Sequence, residues 1–377
     1  MKTGIYIHIP FCKRKCYYCD FLSFDYDKDV EKMYFKKIFS EIEYFTKVHR
    51  TMNIDSIFLG GGTPSLVDNE YYFKLFDLLH KKFKITDDCE ITIEGNPESL
   101  TLNNLKAYRT IGINRLSIGV QSFDDTILKV LGRIHSADDI YLAYSNARIA
   151  NFENINLDFM MNIPGESEDM IEKNLSNIKV LDPEHISYYS LILEENTPLK
   201  LIVDGGFMKL PDEKEDRLRY HHIVDKLNSF GLYQYEISNF SKPNFKSRHN
   251  LKYWNFKDYL GFGIGAVTKL MNIRYKNSSN LTNYIFSKPD ILSKDNIIEI
   301  MDKKDILNEI VIMNLRLNTG IDIDDIDKKF NIDFKSHYKN EINKALYNGW
   351  INYDEKSIKL TPLGQDLCNQ VELIFYR

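Results

Sequence analysis

The 377-residue chain predicts an α/β fold whose first half is an incomplete barrel of six strand–helix units. Two observations predict it. Over roughly the first 200 residues, short runs of strand composition alternate six times with segments of helical period, which implies a parallel sheet joined by crossover helices. Each run also ends in a cluster of glycine, cysteine or polar residues. Barrels build their sites at the carboxyl ends of successive strands, whereas a doubly wound sheet gathers its chemistry at one switch point.

The predicted strands are 4–9, 55–59, 90–94, 115–120, 156–161 and 185–190, all rich in Ile, Leu, Tyr and Phe. The predicted helices are 30–45, 71–82, 102–110, 124–131, 137–151 and 167–181. The first strand runs into Cys12–Cys19. The second runs into Gly60-Gly61-Gly62-Thr63-Pro64-Ser65, and the third into Glu94-Gly95-Asn96-Pro97-Glu98. The fourth ends in Gln121-Ser122-Phe123, the fifth in Asn162-Ile163-Pro164-Gly165, and the sixth runs on to Glu194. Residues 212–230 then read as one amphipathic helix, 238–269 as a loop-rich aromatic stretch, and 270–300 as a polar linker. From Asp302 a helical pattern closed by a small hairpin suggests a winged-helix-like shape. The expected division is a barrel over 1–237, an aromatic and glycine-rich connecting region over 238–300, and a small C-terminal helical, winged-helix-like domain over 301–377.

Composition narrows the function. Apolar residues at 43% and charged residues at 27% describe a globular chain. The net charge of −5 supplies no basic field for nucleic acid, so the winged-helix-like shape reads as a structural or interaction module. The abundant Tyr (24) and Phe (23) read mainly as core packing. Met1–Pro10 is too short and too alternating for a signal peptide, and no stretch approaches the roughly 20 apolar residues of a membrane span. The cytoplasm is the expected location. Three of the five cysteines fall within Cys12–Cys19, which is no disulfide framework. Cys89 and Cys368 are isolated and read as small buried hydrophobes.

Cys12, Cys16 and Cys19 have the spacing C-x3-C-x2-C. Three thiolates on one loop can hold three irons of a [4Fe–4S] cubane and leave the fourth open. A structural zinc would need a fourth protein ligand, and His8 lies on the preceding strand rather than in the loop. The glycines at 60–62 let backbone approach a ligand, or mark a tight turn. Glu94, Gln121, Arg133 and Asp158 read singly as ordinary polar groups; on adjacent strands of one barrel they read jointly as a site. Tyr6 reads as a site contact or as a strand aromatic in the core. His249-Asn250-Leu251-Lys252-Tyr253-Trp254 reads as a heme-contacting motif or as a histidine beside a packed Tyr–Trp pair.

The cysteine loop resembles the signature of the radical S-adenosylmethionine (SAM) proteins. That resemblance implies a partial (β/α)6 barrel, a [4Fe–4S] cluster on Cys12, Cys16 and Cys19, and SAM bound to the open iron. In such proteins, reduction of the cluster cleaves SAM to a 5′-deoxyadenosyl radical. It implies a SAM site formed by Tyr6, Gly61, Gly62, Thr63, Glu94, Gln121, Arg133 and Asp158. The order of motifs, from Tyr6–Cys12 through Asn156–Asp158 and Ile163–Gly165 to Leu360–Gly364, is similar to the oxygen-independent coproporphyrinogen III oxidase group along nearly the whole chain. Those oxidases carry a further cysteine where this chain has Phe21, and an N-terminal extension where it has eleven residues before the cluster loop. Both departures point to the sister family of heme chaperones, as does the HNxxYW pattern. This resemblance implies heme as cargo, contacts from His249, Asn250, Tyr253 and Trp254, and heme-accepting proteins as partners. Dimerisation and delivery near a membrane are family expectations. The alternative is the oxidase itself, removing two propionate carboxyls of coproporphyrinogen III.

Overall fold

The computed structural model describes residues 2–49 and 52–377. All six predicted strands form: β1 (Lys2–Ile9), β2 (Asn53–Gly61), β3 (Lys84–Gly95), β4 (Arg115–Gln121), β5 (Ile155–Met161) and β6 (His185–Ser190). They lie side by side in sequence order, each parallel to the next. The crossover helices are α1 (Lys28–Val48), α2 (Asn69–Lys82), α3 (Leu102–Ile111), α4 (Asp125–Val130), α5 (Ala137–Ile149) and α6 (Glu168–Leu181). Local signals set their starts. Asp27 accepts from the backbone N–H groups of Asp29 and Val30, and Ser136 with Asp139 forms a capping box. Gly112 ends α3 at φ 103°, a left-handed turn that a side chain would strain.

The strands alternate in a way that decides what the barrel can hold. Ile5, Ile7, Ile9, Ile57, Leu59, Ile93, Leu116, Ile118, Leu157 and Phe159 belong to one apolar core with the helices. That core includes Tyr34, Phe35, Ile38, Ile42 and Phe45 of α1, each fully or almost fully buried. Burial of each such side chain is worth about 1.5–3 kcal/mol. The residues between them face inward and are mostly small or polar: Tyr6, Glu94, Arg115, Ser117, Asn156, Asp158, Ser187 and Tyr189. A barrel lined with branched apolar side chains fills its own centre. This lining leaves cavities.

The segment 238–300 corrects the expected domain boundary, because it is part of the sheet. After α7 (Pro198–Asp204) and α8 (Glu213–Ser229), strands β7 (Tyr233–Glu236) and β8 (Asn239–Ser241) add antiparallel beyond β6. Helix α9 (Arg248–Trp254) carries the chain back, and β9 (Tyr259–Phe262) pairs parallel with β1 on its free side. β10 (Val267–Leu270), β11 (Ile273–Lys276), α10 (Leu281–Phe286) and β12 (Ile297–Ile300) follow. The result is one 12-stranded sheet in the order β12-β11-β10-β9-β1-β2-β3-β4-β5-β6-β8-β7, with unpaired ends, so the barrel is partial. The reason is hydrogen bonding: β1 and β6 would otherwise present open edges. The strands at 273–276 and 297–300 are four residues each, too short for a period-two signal to stand out from the polar segments around them.

The C-terminal region has its own core. Helices α11 (Lys303–Leu315), α12 (Ile323–Phe330), α13 (Phe334–His337), α14 (Lys339–Tyr347), α15 (Pro362–Asp366) and α16 (Cys368–Phe375) surround Val311, Phe334, Tyr338, Val371 and Phe375. Strands β13 (Ile321–Asp322), β14 (Ile351–Tyr353) and β15 (Ser357–Leu360) form a three-stranded sheet in the order β13-β15-β14, the expected helical, winged-helix-like pattern.

Candidate functional site

The cysteine loop leaves β1 after Pro10 and crosses the carboxyl ends of the strands. Tyr17 fixes it from both directions: its N–H bonds the Leu131 carbonyl at 3.0 Å, and its own carbonyl accepts from Leu199 at 2.9 Å. Cys12, Cys16 and Cys19 are unpaired and half-buried, and all three line one cavity of about 330 Å³. Gly61, Gly62, Thr63, Glu94, Gln121, Arg133 and Asp158 line the same cavity. Ten of the expected site residues therefore share it.

Strand ends supply Gly61, Gly62, Thr63, Glu94 and Gln121, while Asp158 lies within β5. Gly62 closes the gap between β2 and the loop: its N–H bonds the Ile9 carbonyl at 2.7 Å, and a Cβ there would lie 2.8 Å from the Phe11 carbonyl oxygen. Gly61, at φ 117°, stacks over His8 and donates its N–H to Glu94 Oε2 at 3.1 Å. Gln121 has φ 66°, an uncommon conformation for a residue with a side chain, which turns the end of β4 into the cavity. Arg133 follows α4 and donates to Cys16 Sγ at 3.4 Å and to the Gly119 carbonyl at 2.6 Å. Thr63 Oγ1 donates to Cys12 Sγ at 3.6 Å.

Electrostatics follow burial. Burial pushes the Glu94 carboxyl up to about 8, and the Asp158 charge adds to the rise; the Gly61 N–H and Arg115 oppose it. Asp158 is also raised by burial, against hydrogen bonds from Ser117, Ser187 and Asn156. Burial raises the Cys12 thiol, and it raises Cys19 to about 11. Buried thiols of this kind stay protonated unless a positive centre binds them.

Three unpaired thiols lining one cavity are the donor set that a [4Fe–4S] cubane takes at three of its corners. His8 does not complete a zinc set. Its ring nitrogens are engaged by the Tyr6 hydroxyl at 2.9 Å and the Leu22 carbonyl at 2.8 Å.

Five expected site residues lie elsewhere. Tyr6, His249, Asn250 and Tyr253 line a second cavity of about 190 Å³ deeper in the barrel, which shares Glu94, Ser117, Asp158 and Tyr189 with the first. Tyr6 faces there because it alternates along β1 with the core residues Ile5 and Ile7, and its hydroxyl bonds His8. His249 is 1% exposed, and both ring nitrogens are taken: Nδ1 by the Ser56 hydroxyl and Nε2 by the Tyr253 hydroxyl, each at 2.9 Å. Burial, then the Lys252 charge, lowers His249 to about 3, so the imidazole is neutral. Trp254 lines neither cavity. It sits at the far end of α9 under the Arg316 guanidinium, and its carbonyl accepts from Asn314, both on the C-terminal domain. α9 thus separates the expected heme motif into two faces.

Sequence reasoning missed Tyr18, Asn96, Ser117, Met160 and Tyr189, which also line the larger cavity. Asn96 stands inside the Glu94–Glu98 motif. Ser117 and Tyr189 occupy alternate inward positions on their strands, so strict period-two reading from Arg115 and His185 would have found them.

Residues 6–178 match the family model of the radical SAM superfamily, and residues 301–367 match that of the HemN C-terminal domain. A protein of Bacillus subtilis (strain 168) called heme chaperone HemW is 33% identical over 98% of both chains. The heme chaperone HemW of Haemophilus influenzae is 30% identical over 99% of this chain and 97% of its own. Among solved structures, coproporphyrinogen III oxidase (HemN) of Escherichia coli, a radical SAM enzyme, superposes with a TM-score of 0.86 over 100% of this chain and 90% of that one, at 22% identity. At that identity the likeness speaks for the fold.

Proposed function

Because this chain belongs to the radical SAM superfamily and, within it, to the heme chaperone HemW family, we propose that it is a heme-binding protein that delivers heme to heme-dependent proteins. The single observation that carries the cofactor half of this reading is the convergence of three unpaired thiols, the Gly61–Gly62 backbone, Glu94, Arg133 and Asp158 on one cavity. Cys12, Cys16 and Cys19 would hold a [4Fe–4S] cluster. Gly61, Gly62 and Thr63 would receive the amino end of SAM, and Glu94, Gln121, Arg133 and Asp158 would bond its remaining polar groups. When bound, the pair supplies one-electron chemistry. The protein orients, neutralises and keeps water out.

The heme half rests on the names of the relatives and on the HNxxYW residues. His249 can meet heme iron only by exchanging its bonds to Ser56 and Tyr253, and the inner cavity is smaller than the roughly 300–1,000 Å³ of ordinary ligand pockets. Heme entry through His249, Asn250 and Tyr253 therefore requires α9 to swing outward, which would also loosen Trp254 from the C-terminal domain. Among the described residues no helix is long and apolar enough to cross a membrane. The chain would work in the cytoplasm.

The test is anaerobic. Cluster-loaded protein is titrated with hemin and, in parallel, incubated with coproporphyrinogen III, SAM and a reductant. The expected result is saturable heme uptake, weakened at least tenfold by His249→Ala, with no protoporphyrinogen IX formed. Decarboxylation, or no heme uptake by protein with an intact cluster, would overturn the chaperone reading.

A further inference from the structure

Thr63 and Arg133 each donate to a cysteine sulfur, and one side chain joins these two donors. Thr63 Oγ1 donates to Cys12 Sγ at 3.6 Å, and Arg133 Nη1 donates to Cys16 Sγ at 3.4 Å. Between Thr63 and Arg133 stands Asn96. Its Oδ1 accepts from Arg133 Nη2 at 2.8 Å, and its Nδ2 donates to Thr63 Oγ1 at 3.2 Å. The chain Cys12–Thr63–Asn96–Arg133–Cys16 is an unbroken arch over the cavity wall.

Its direction is fixed by chemistry. A guanidinium has donors and no acceptor, so the atom of Asn96 that meets Arg133 has to be the oxygen. The amide nitrogen must then face Thr63. The Thr63 hydroxyl, accepting from that nitrogen, turns its one proton toward Cys12. One carboxamide therefore aims both donors at the two sulfurs. The surroundings hold it still. The Asn96 N–H bonds Ser65 Oγ at 3.3 Å, the Asn96 carbonyl accepts from Ser99 Oγ at 2.8 Å, and Pro97 follows. Gly119 leaves the space, since a Cβ there would lie 2.9 Å from Arg133 Nη2 and 3.1 Å from Asn96 Oδ1.

We propose that Asn96 is a positioning residue which sets the reduction potential of the cluster by holding the Thr63 and Arg133 donors on Cys12 and Cys16. This rests on the reading of the three cysteines as cluster ligands. Hydrogen bonds to cysteine sulfur favour the reduced cluster, which carries one more negative charge, and so raise its potential. Cys19 lies outside the arch; its sulfur is bonded by the Phe21 backbone N–H.

The experiment compares wild type with Asn96→Ala, both reconstituted anaerobically and without SAM. Iron content and the Fe–S(Cys) stretching bands in the resonance Raman spectrum are recorded first, then the potential by EPR-monitored titration. The expected result is unchanged iron content, shifted stretching bands, and a reduced-to-oxidised ratio about tenfold lower at fixed potential, a change of about −59 mV for one electron. The double variant Asn96→Ala/Thr63→Val should shift hardly further, because Asn96 acts through Thr63. An unmoved potential with a full cluster, or fully additive shifts, overturns the proposal. If Asn96→Ala takes up no cluster, Thr63→Val reports on the Cys12 half alone: a negative shift supports the arch and an unmoved potential contradicts it. Absence of a cluster in the wild-type chain would refute the cysteine reading instead, and the two failures are told apart by the iron content.

Discussion

Glu94 shows how one residue serves the site. It is buried, its neighbour Asp158 is acidic, and its carboxyl titrates near 8. If it bonds SAM as a carboxylate, only the ionised fraction is competent, about a tenth at pH 7 and nine-tenths at pH 9. Apparent SAM affinity should then rise about tenfold between those values and level off above them. In Glu94→Gln the dependence should vanish. Calorimetric titration of cluster-loaded protein across pH checks this, and a flat profile in the wild type would contradict it. Cysteines and strand-end polar residues were legible because their types are rare in that pattern. The depth of His249 was not. Whether an imidazole faces a cavity or is tied by Ser56 and Tyr253 depends on a partner 193 positions away in the chain, and no local spacing encodes that.

At the scale of elements, strand and helix periods placed all six βα units, because each unit buries a contiguous apolar face. What escaped was the reach of the sheet: β7 to β12 are only three or four residues each, too short to carry a clear period, and they cover the open edges of β1 and β6. The junction of β2 with the cysteine loop carries a sharp prediction. Gly62→Ala would press its methyl onto the Phe11 and Ile9 backbone, which is not free to move because both residues are fully buried in the apolar core. The loop should separate from β2, and cluster uptake and SAM binding should fall together by at least tenfold, while far-ultraviolet circular dichroism stays unchanged. Full iron content and SAM binding in Gly62→Ala would contradict the proposed contact.

At the scale of the molecule, the two apolar cores meet through residues of α8, of α9 and of the turn that follows α9. Phe256 leaves the barrel and enters the C-terminal core, with Lys269 lying 3.8 Å over its ring. Arg217 and His221 of α8 both reach Asp366. Truncating a buried aromatic costs about 3–5 kcal/mol. Phe256→Ala should therefore split thermal unfolding, with the C-terminal domain melting first, and calorimetry would show two transitions; one transition at the wild-type temperature would contradict this. The domain division was partly legible. The C-terminal helices announced their own core, but the aromatic stretch from 238 read as a connector because its partners are β1 and the second core.

The account stands or falls with the cysteine loop. The most direct measurement is iron and sulfide per chain after anaerobic reconstitution of the wild type and of Cys12→Ser, Cys16→Ser, Cys19→Ser and Cys89→Ser. The account predicts about four of each in the wild type. Each of the first three variants should lose the four-iron cluster, whereas Cys89→Ser, altered at a thiol packed in the apolar core, should keep it. A full four-iron cluster on any of the first three variants would contradict the site.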